Sequence, residues 1–215
     1  LSSSSAASDV YKRQILFNTE MVQAILDGRK TCTRRVVKGY IPKDAEFGYT
    51  AFTPKGAISC RGIFETSYPG YGEKFFELPY HRGDILYVRE TWCSAYDGEK
   101  YFYLADKLTN REERLLLKYD DALWHPSIHM PKGAARIWLK VIDVRIERLQ
   151  DITETQAQAE GCNSGLLTGP CTARGQFERC WNSTIKKSDI DRYGWSANPW
   201  VWVIEFGRCG KPGKG

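Results

Sequence analysis

The chain has 215 residues, enough for one domain or two small ones, and a chain of this size folds without needing disulfides or metal. Hydrophobic residues make up 42% and charged residues 27%, an ordinary globular balance, and no apolar run approaches the length of a membrane span. The formal net charge of +5 permits a polyanionic partner without demanding one. Seven Trp, twelve Tyr and nine Phe are enough rings to build a core or to line a surface that stacks on planar ligands. The seven cysteines are odd in number and form no CxxC pair, which argues against a disulfide framework or a zinc ribbon and for a reducing compartment, the cytoplasm.

Residues 1–14, LSSSSAASDVYKRQ, are Ser/Ala-rich and carry no signal-peptide apolar region. They resemble translated sequencing-adaptor sequence and are set aside as a non-native or disordered tail. Ile15 to Asn18 is a short strand candidate. Asn18 or Thr19 then caps a helix whose apolar face is Met21, Val22, Ile25 and Leu26, and Gly28 stops it. Arg29 to Val37 alternates as a strand. Residues 39–82 read as loops and short strands, with YPGYGEKFFELPY the clearest loop. Gly83-Asp84 turns the chain into ILYVRETW, a strong strand, and Asp97-Gly98 leads into KYFYLA. REERLLLKY suggests a short helix, and HPSIHMPKG a loop.

Ala135 to Leu149 is the best strand, with Ile137, Leu139 and Val141 alternating against Trp138, Lys140 and Ile142. Thr153 and Gln156 form a capping box for the helix TETQAQAE, which Gly161 ends. Phe177, Cys180 or Trp181, and Ile185 mark another helix, and PWVWVIEF is a closing strand. Strands outnumber helices without alternating regularly with them, so the expected class is α+β, mainly β: a small barrel with short flanking helices, in one domain.

Four groups of residues could carry chemistry. In GRKTCTRR (28–35), Lys30 and Thr33 could act together: a threonine attacks only after a base takes its proton, and a lysine does so only when burial or nearby cations lower its pKa. Alternatively Lys30 stays charged and stabilises an oxyanion. The plain reading is a solvated basic turn. Glu160 ends a helix, where a carboxylate is disfavoured, so a cationic partner or a catalytic role would account for it. Arg89, Glu90 and Trp92 could line a pocket that stacks on a base and reads its edge, or could be a strand end with a local ion pair. His125 and His129 are spaced i,i+4, but Pro126 rules out a regular helix, so with His81 they make no convincing metal site, although His129 could face a pocket. GPCTARG lacks the Walker pattern and no GxGxxG follows a strand, so no cofactor is expected.

Taken together, ILFNTEMVQAILDGRKTCTRR, GDILYVRETW, SIHMPKGAARIWLKVIDVRIERLQDITETQAQAEG and NPWVWVIEF, in that order over residues 15–206, resemble an ASCH domain, a relative of the PUA-type RNA-binding barrels. The longer form resembles ASCH proteins encoded in phages and prophages. The resemblance implies a PUA-like β-barrel over residues 15–207, with insertions at about 39–80 and 93–130 and a flexible tail at 208–215. Some members of the family act as amidohydrolases on N4-acetylcytidine through a lysine, a threonine and a glutamate. Those positions fall on Lys30, Thr33 and Glu160, with Arg35 completing the motif and Arg29 and Arg34 left to meet phosphate or water. The implied partner is RNA or a modified nucleoside, with no metal and no membrane. The alternatives are a non-catalytic RNA-binding module, in which Arg29, Lys30, Arg34 and Arg35 meet phosphates, and a phage accessory or assembly protein.

Overall fold

The computed structural model describes residues 13–39, 41, 46–51, 60–65, 74–95, 100–106, 124–163 and 172–212. Ten strands lie among them: β1 Arg13–Leu16, β2 Cys32–Val36, β3 Glu46–Ala51, β4 Cys60–Glu65, β5 Lys74–Glu77, β6 Ile85–Arg89, β7 Trp92–Ala95, β8 Lys100–Tyr103, β9 Trp138–Arg148 and β10 Trp200–Cys209. Four α-helices accompany them: α1 Thr19–Leu26, α2 Glu154–Ala159, α3 Ala173–Thr184 and α4 Ile190–Tyr193. The class is α+β.

The central sheet runs β1-β6-β9-β10-β2, parallel only between β1 and β6. It is an open sheet, which corrects the expectation of a closed barrel. Its edge strands β1 and β2 share no ladder, and α1 is the segment that joins them. What spans the gap is a side chain: Nη2 of Arg35 on β2 donates to the Leu16 carbonyl on β1 at 3.0 Å. One guanidinium satisfies one carbonyl, whereas a closed barrel pairs a whole strand.

β10 explains its own continuous apolar run. Trp202, Ile204 and Phe206 pack into a core with Val22 and Ile25 of α1. Val201 and Val203 on the opposite face pack with Ala157 of α2 and with Phe177 and Trp181 of α3. A strand covered on both faces needs apolar residues at every position. The β9–β10 register shifts between Glu205 and Phe206, where Glu205 pairs with Asp143 and Phe206 with Val141. Ile142 is the extra residue of this bulge and is 50% exposed.

Both ends of the expected domain move outward. β1 begins at Arg13, where Arg13 Nη1 donates to the Pro79 carbonyl at 2.9 Å and Gln14 Oε1 accepts from Tyr87 and Arg89. β10 continues to Cys209, past the expected end at 207, because Arg208 and Cys209 pair with Leu139 and Trp138. The insertions hold sheets of their own, β3-β4-β5 and the β7-β8 hairpin. β5 lies inside the segment expected to be loop, and REERLLLKY lies outside the described residues. No helix among the described residues is long and apolar enough to cross a membrane.

Candidate functional site

The site begins at the turn after α1. Asn18 caps this helix, its side chain accepting from Met21 N at 2.9 Å. At the other end Gly28 takes φ +75°, the left-handed conformation that releases the chain. Arg29 N and Lys30 N both donate to the Ala24 carbonyl, so the turn folds tightly against the helix end. Lys30 stands before β2 and is not bound by its alternation. It makes an isolated antiparallel bridge with Glu160, 130 residues away.

α2 brings Glu160 to that bridge. The Thr153–Gln156 capping box opens the helix as expected, and Glu160 is its C-cap. The three backbone carbonyls around the helix end all receive donors from the basic stretch. Thr31 N reaches Ala159 O at 2.8 Å, Lys30 Nζ reaches Glu160 O at 2.9 Å, and Arg29 Nη1 reaches Gly161 O at 3.1 Å. The basic stretch is therefore the C-terminal cap of α2, and its cations suit the negative end of that helix.

Gly161 makes this approach possible. Its φ is +92°, and a Cβ there would lie 2.9 Å from Ala24 Cβ and 3.3 Å from Lys30 Cβ. Gly161→Ala is expected to lower stability by about 1–3 kcal/mol from backbone strain alone, read by denaturant unfolding. A neutral substitution would show that this approach is unimportant.

The carboxylate of Glu160 sits between two cations. Lys30 Nζ lies 2.6 Å from Oε2, and Arg34 Nη1 lies 3.3 Å from Oε1. Arg34 Nη2 continues to Glu147 at 3.1 Å and to the Gln156 amide oxygen at 3.3 Å. Glu147 in turn takes Arg145 Nε at 2.6 Å. An ion-pair chain thus runs from the interior toward the half-buried face of β9. Lys30, Thr33 and Arg34 are each 2% exposed or less. Arg34 is therefore not free to meet phosphate or water, because Glu147 and Glu160 hold it inside.

Thr33 and Arg35 point to the other face of β2, toward the α1 layer. Arg35 Nη1 donates to Thr33 Oγ1 at 2.9 Å. The Phe17 ring lies under both cations of this side, 5.6 Å from Lys30 Nζ and 5.4 Å from the Arg35 guanidinium. Burial holds the Arg35 guanidinium below its usual pKa, and the nearby Glu160 charge partly opposes that.

These residues border a cavity of about 440 Å³ between α1 and α3. Thr33, Arg34, Arg35 and Glu160 line it, with Leu16 and Met21 on one side and Phe177 and Trp181 on the other. Glu20 stands exposed on its wall. Cys162 and Cys180 also line it, and Cys32 lies beside Gln156. Burial, reinforced by the Glu160 charge, pushes the Cys32 thiol up to about 12. Cys162 is pushed up to about 11 by burial and the neighbouring Cys180, and Cys180 is also raised by burial. Protonated thiols are poor nucleophiles, so cysteine attack is disfavoured here.

The remaining expected binding residues lie elsewhere. Arg89 donates to Gln14 and Ile128, and Trp92 packs its ring 5.0 Å from His125. His129 is an exposed turn residue, and His81 lies 3.9 Å from Asp84. Glu90 is 1% exposed and bound by Arg136. None of Arg89, Glu90, Trp92 and His129 lines the cavity. Arg29, exposed, is tied to Asp27 and Gly161. Among the described residues no group of three or more His, Cys, Asp or Glu is placed to hold a metal. Phe17, Glu147, Phe177 and Gly161 are the site residues that sequence reading did not single out. Phe177 and Trp181, one turn apart, carried a signal as a helix face, whereas Glu147 carried none.

No family model, no curated protein and no solved structure matches this chain.

Proposed function

We propose that the chain is an ASCH-type, PUA-related protein that binds RNA or a modified nucleoside and hydrolyses the amide of an N4-acylated cytidine. The observation that carries this reading is the meeting of Lys30 and Glu160 at 2.6 Å beside a cavity that Thr33 also lines. Two of the three Nζ–H groups of Lys30 are engaged by Glu160, so Lys30 acts as a donor to the oxyanion rather than as a base. Thr33 Oγ1 accepts from Arg35, which leaves its own O–H to give up. Glu160 takes that proton, Oγ1 adds to the acyl carbon, and the C–N bond breaks as the exocyclic amine leaves with the proton. Water then releases the acyl group as a carboxylic acid and restores Thr33. The Phe177 and Trp181 wall supplies apolar surface for a planar base.

The test is release of cytidine from N4-acetylcytidine, with Lys30→Ala and Thr33→Val each expected to slow it by roughly 100-fold or more. No release by the wild type, or equal release by Lys30→Ala, would sink the catalytic reading. A purely RNA-binding reading has less support, because Arg34 is buried in ion pairs and Arg29 is tied to Asp27 and Gly161.

A further inference from the structure

We infer that Arg35 anchors a carboxylate and that the cavity binds short monocarboxylates, the class of product that amide hydrolysis releases; only the link to product rests on the reading above. A guanidinium has five N–H donors. Among the described residues Arg35 spends three: two from Nη1 on Thr33 Oγ1 at 2.9 Å and the Arg34 carbonyl at 3.1 Å, and one from Nη2 on the Leu16 carbonyl at 3.0 Å. Two donors remain, the number a carboxylate takes from an arginine.

The charge around the cavity needs the same partner. Lys30 and Arg34 each contact a carboxylate, Glu160 for both and Glu147 for Arg34 as well. Glu147 is shared further with Arg145. Arg35 makes no ion pair with a carboxylate among the described residues, and its three acceptors are all uncharged. At and just behind the inner wall stand three cations, Lys30, Arg34 and Arg35, against Glu160 and the shared Glu147, and of these Arg34, Arg35 and Glu160 line the cavity itself. Glu20 stands exposed, where water screens it. A partly buried cation without an anion favours a ligand that brings one negative charge. Arg34 does not fill this role: its side chain is fully covered, and its unpartnered Nε is sealed from solvent. Arg35 is half-buried on the cavity wall, and no nitrogen of its side chain is both sealed and unpartnered. Leu16, Met21 and Phe177 on the cavity walls suit a short alkyl chain.

Saturation-transfer NMR with propionate and its neutral isostere propionamide, at matched ionic strength, tests this without turnover. Propionate is expected to receive saturation and propionamide not. Arg35→Gln should weaken propionate by roughly 10-fold or more, with Arg35→Lys between the two. Equal saturation of propionamide in the wild type would overturn the anchor even if the variants failed to fold. So would undiminished binding by Arg35→Gln, or displacement of propionate by equimolar inorganic phosphate. Propionate binding with no hydrolysis of N4-acetylcytidine removes the enzymatic reading and leaves the anchor standing; hydrolysis without propionate binding does the reverse.

Discussion

Glu160→Ala is expected to lower the melting temperature by ~6–20 °C, from a loss of about 3–5 kcal/mol at ~2–4 °C per kcal/mol for a chain of this size. The carboxylate is the shared partner of two buried cations, Lys30 and Arg34. Among the described residues, removing it leaves Lys30 with the backbone carbonyl of position 160 as its one acceptor and Arg34 with Glu147 and Gln156. An uncompensated interior charge costs far more than the ion pair contributes, which is why the single change is severe. Glu160→Gln retains an acceptor for Nζ and should fall between. Replacing both members by apolar residues of similar volume, Lys30→Met with Glu160→Leu, should recover much of the loss, because the stranded charge disappears with its partner. Thermal and urea unfolding read all three. A loss below about 1 kcal/mol for Glu160→Ala would mean that the pair is solvated, contrary to the burial described.

The second large effect belongs to Arg136. Its Nε and Nη2 lie 3.0 and 2.9 Å from the two oxygens of Glu90, which is 1% exposed. Its Nη1 reaches Asp106 at 2.7 and 2.9 Å, and its guanidinium stacks 3.9 Å from the centre of the Tyr103 ring. Burial raises the Glu90 pKa, and the Arg136 hydrogen bonds and charge oppose the rise. A carboxyl whose folded pKa is raised contributes stability below its unfolded pKa, near 4.5, and loses it as pH rises through the folded pKa. Arg136→Gln removes the opposing cation, so the folded pKa climbs further and the loss with rising pH deepens. The variant should be about 3–5 kcal/mol less stable than the wild type at neutral pH and considerably closer to it near pH 4.5. Urea unfolding at the two pH values checks this. A loss that does not change with pH would place the effect in the Tyr103 stacking or in Asp106 rather than in Glu90.

Glu90 shows how far a sequence reading reaches. Beside Arg89 and Trp92 it suggests either a pocket edge or a local ion pair at a strand end. Glu90 is in an ion pair, but with Arg136 rather than its neighbour Arg89, which turns instead to Gln14 and Ile128. The partner lies 46 residues away, so no local pattern could name it. GRKTCTRR divides in the same way. That Gly28 ends a helix is local chemistry, but that Arg29, Lys30 and Thr31 cap the far end of α2 is a tertiary contact. Which of two adjacent arginines is sealed in ion pairs and which is not is set by distant residues.

The sequence by itself determined where the main helices and strands lie. Asn18, Gly28, the Thr153–Gln156 box and Gly161 act within one turn of themselves, and the alternation of Ile137, Leu139 and Val141 reports the face that joins the main core. Only the tertiary structure decided that the central sheet is open, that its strands begin at Arg13 and end at Cys209, and that Arg34 is held by two carboxylates while Arg35, beside it on the cavity wall, is held by none among the described residues. Strand ends are set by the neighbouring strand that pairs with them. The fate of a charged side chain is set by whether an opposite charge from another element waits for it, as Glu147 and Glu160 do for Arg34.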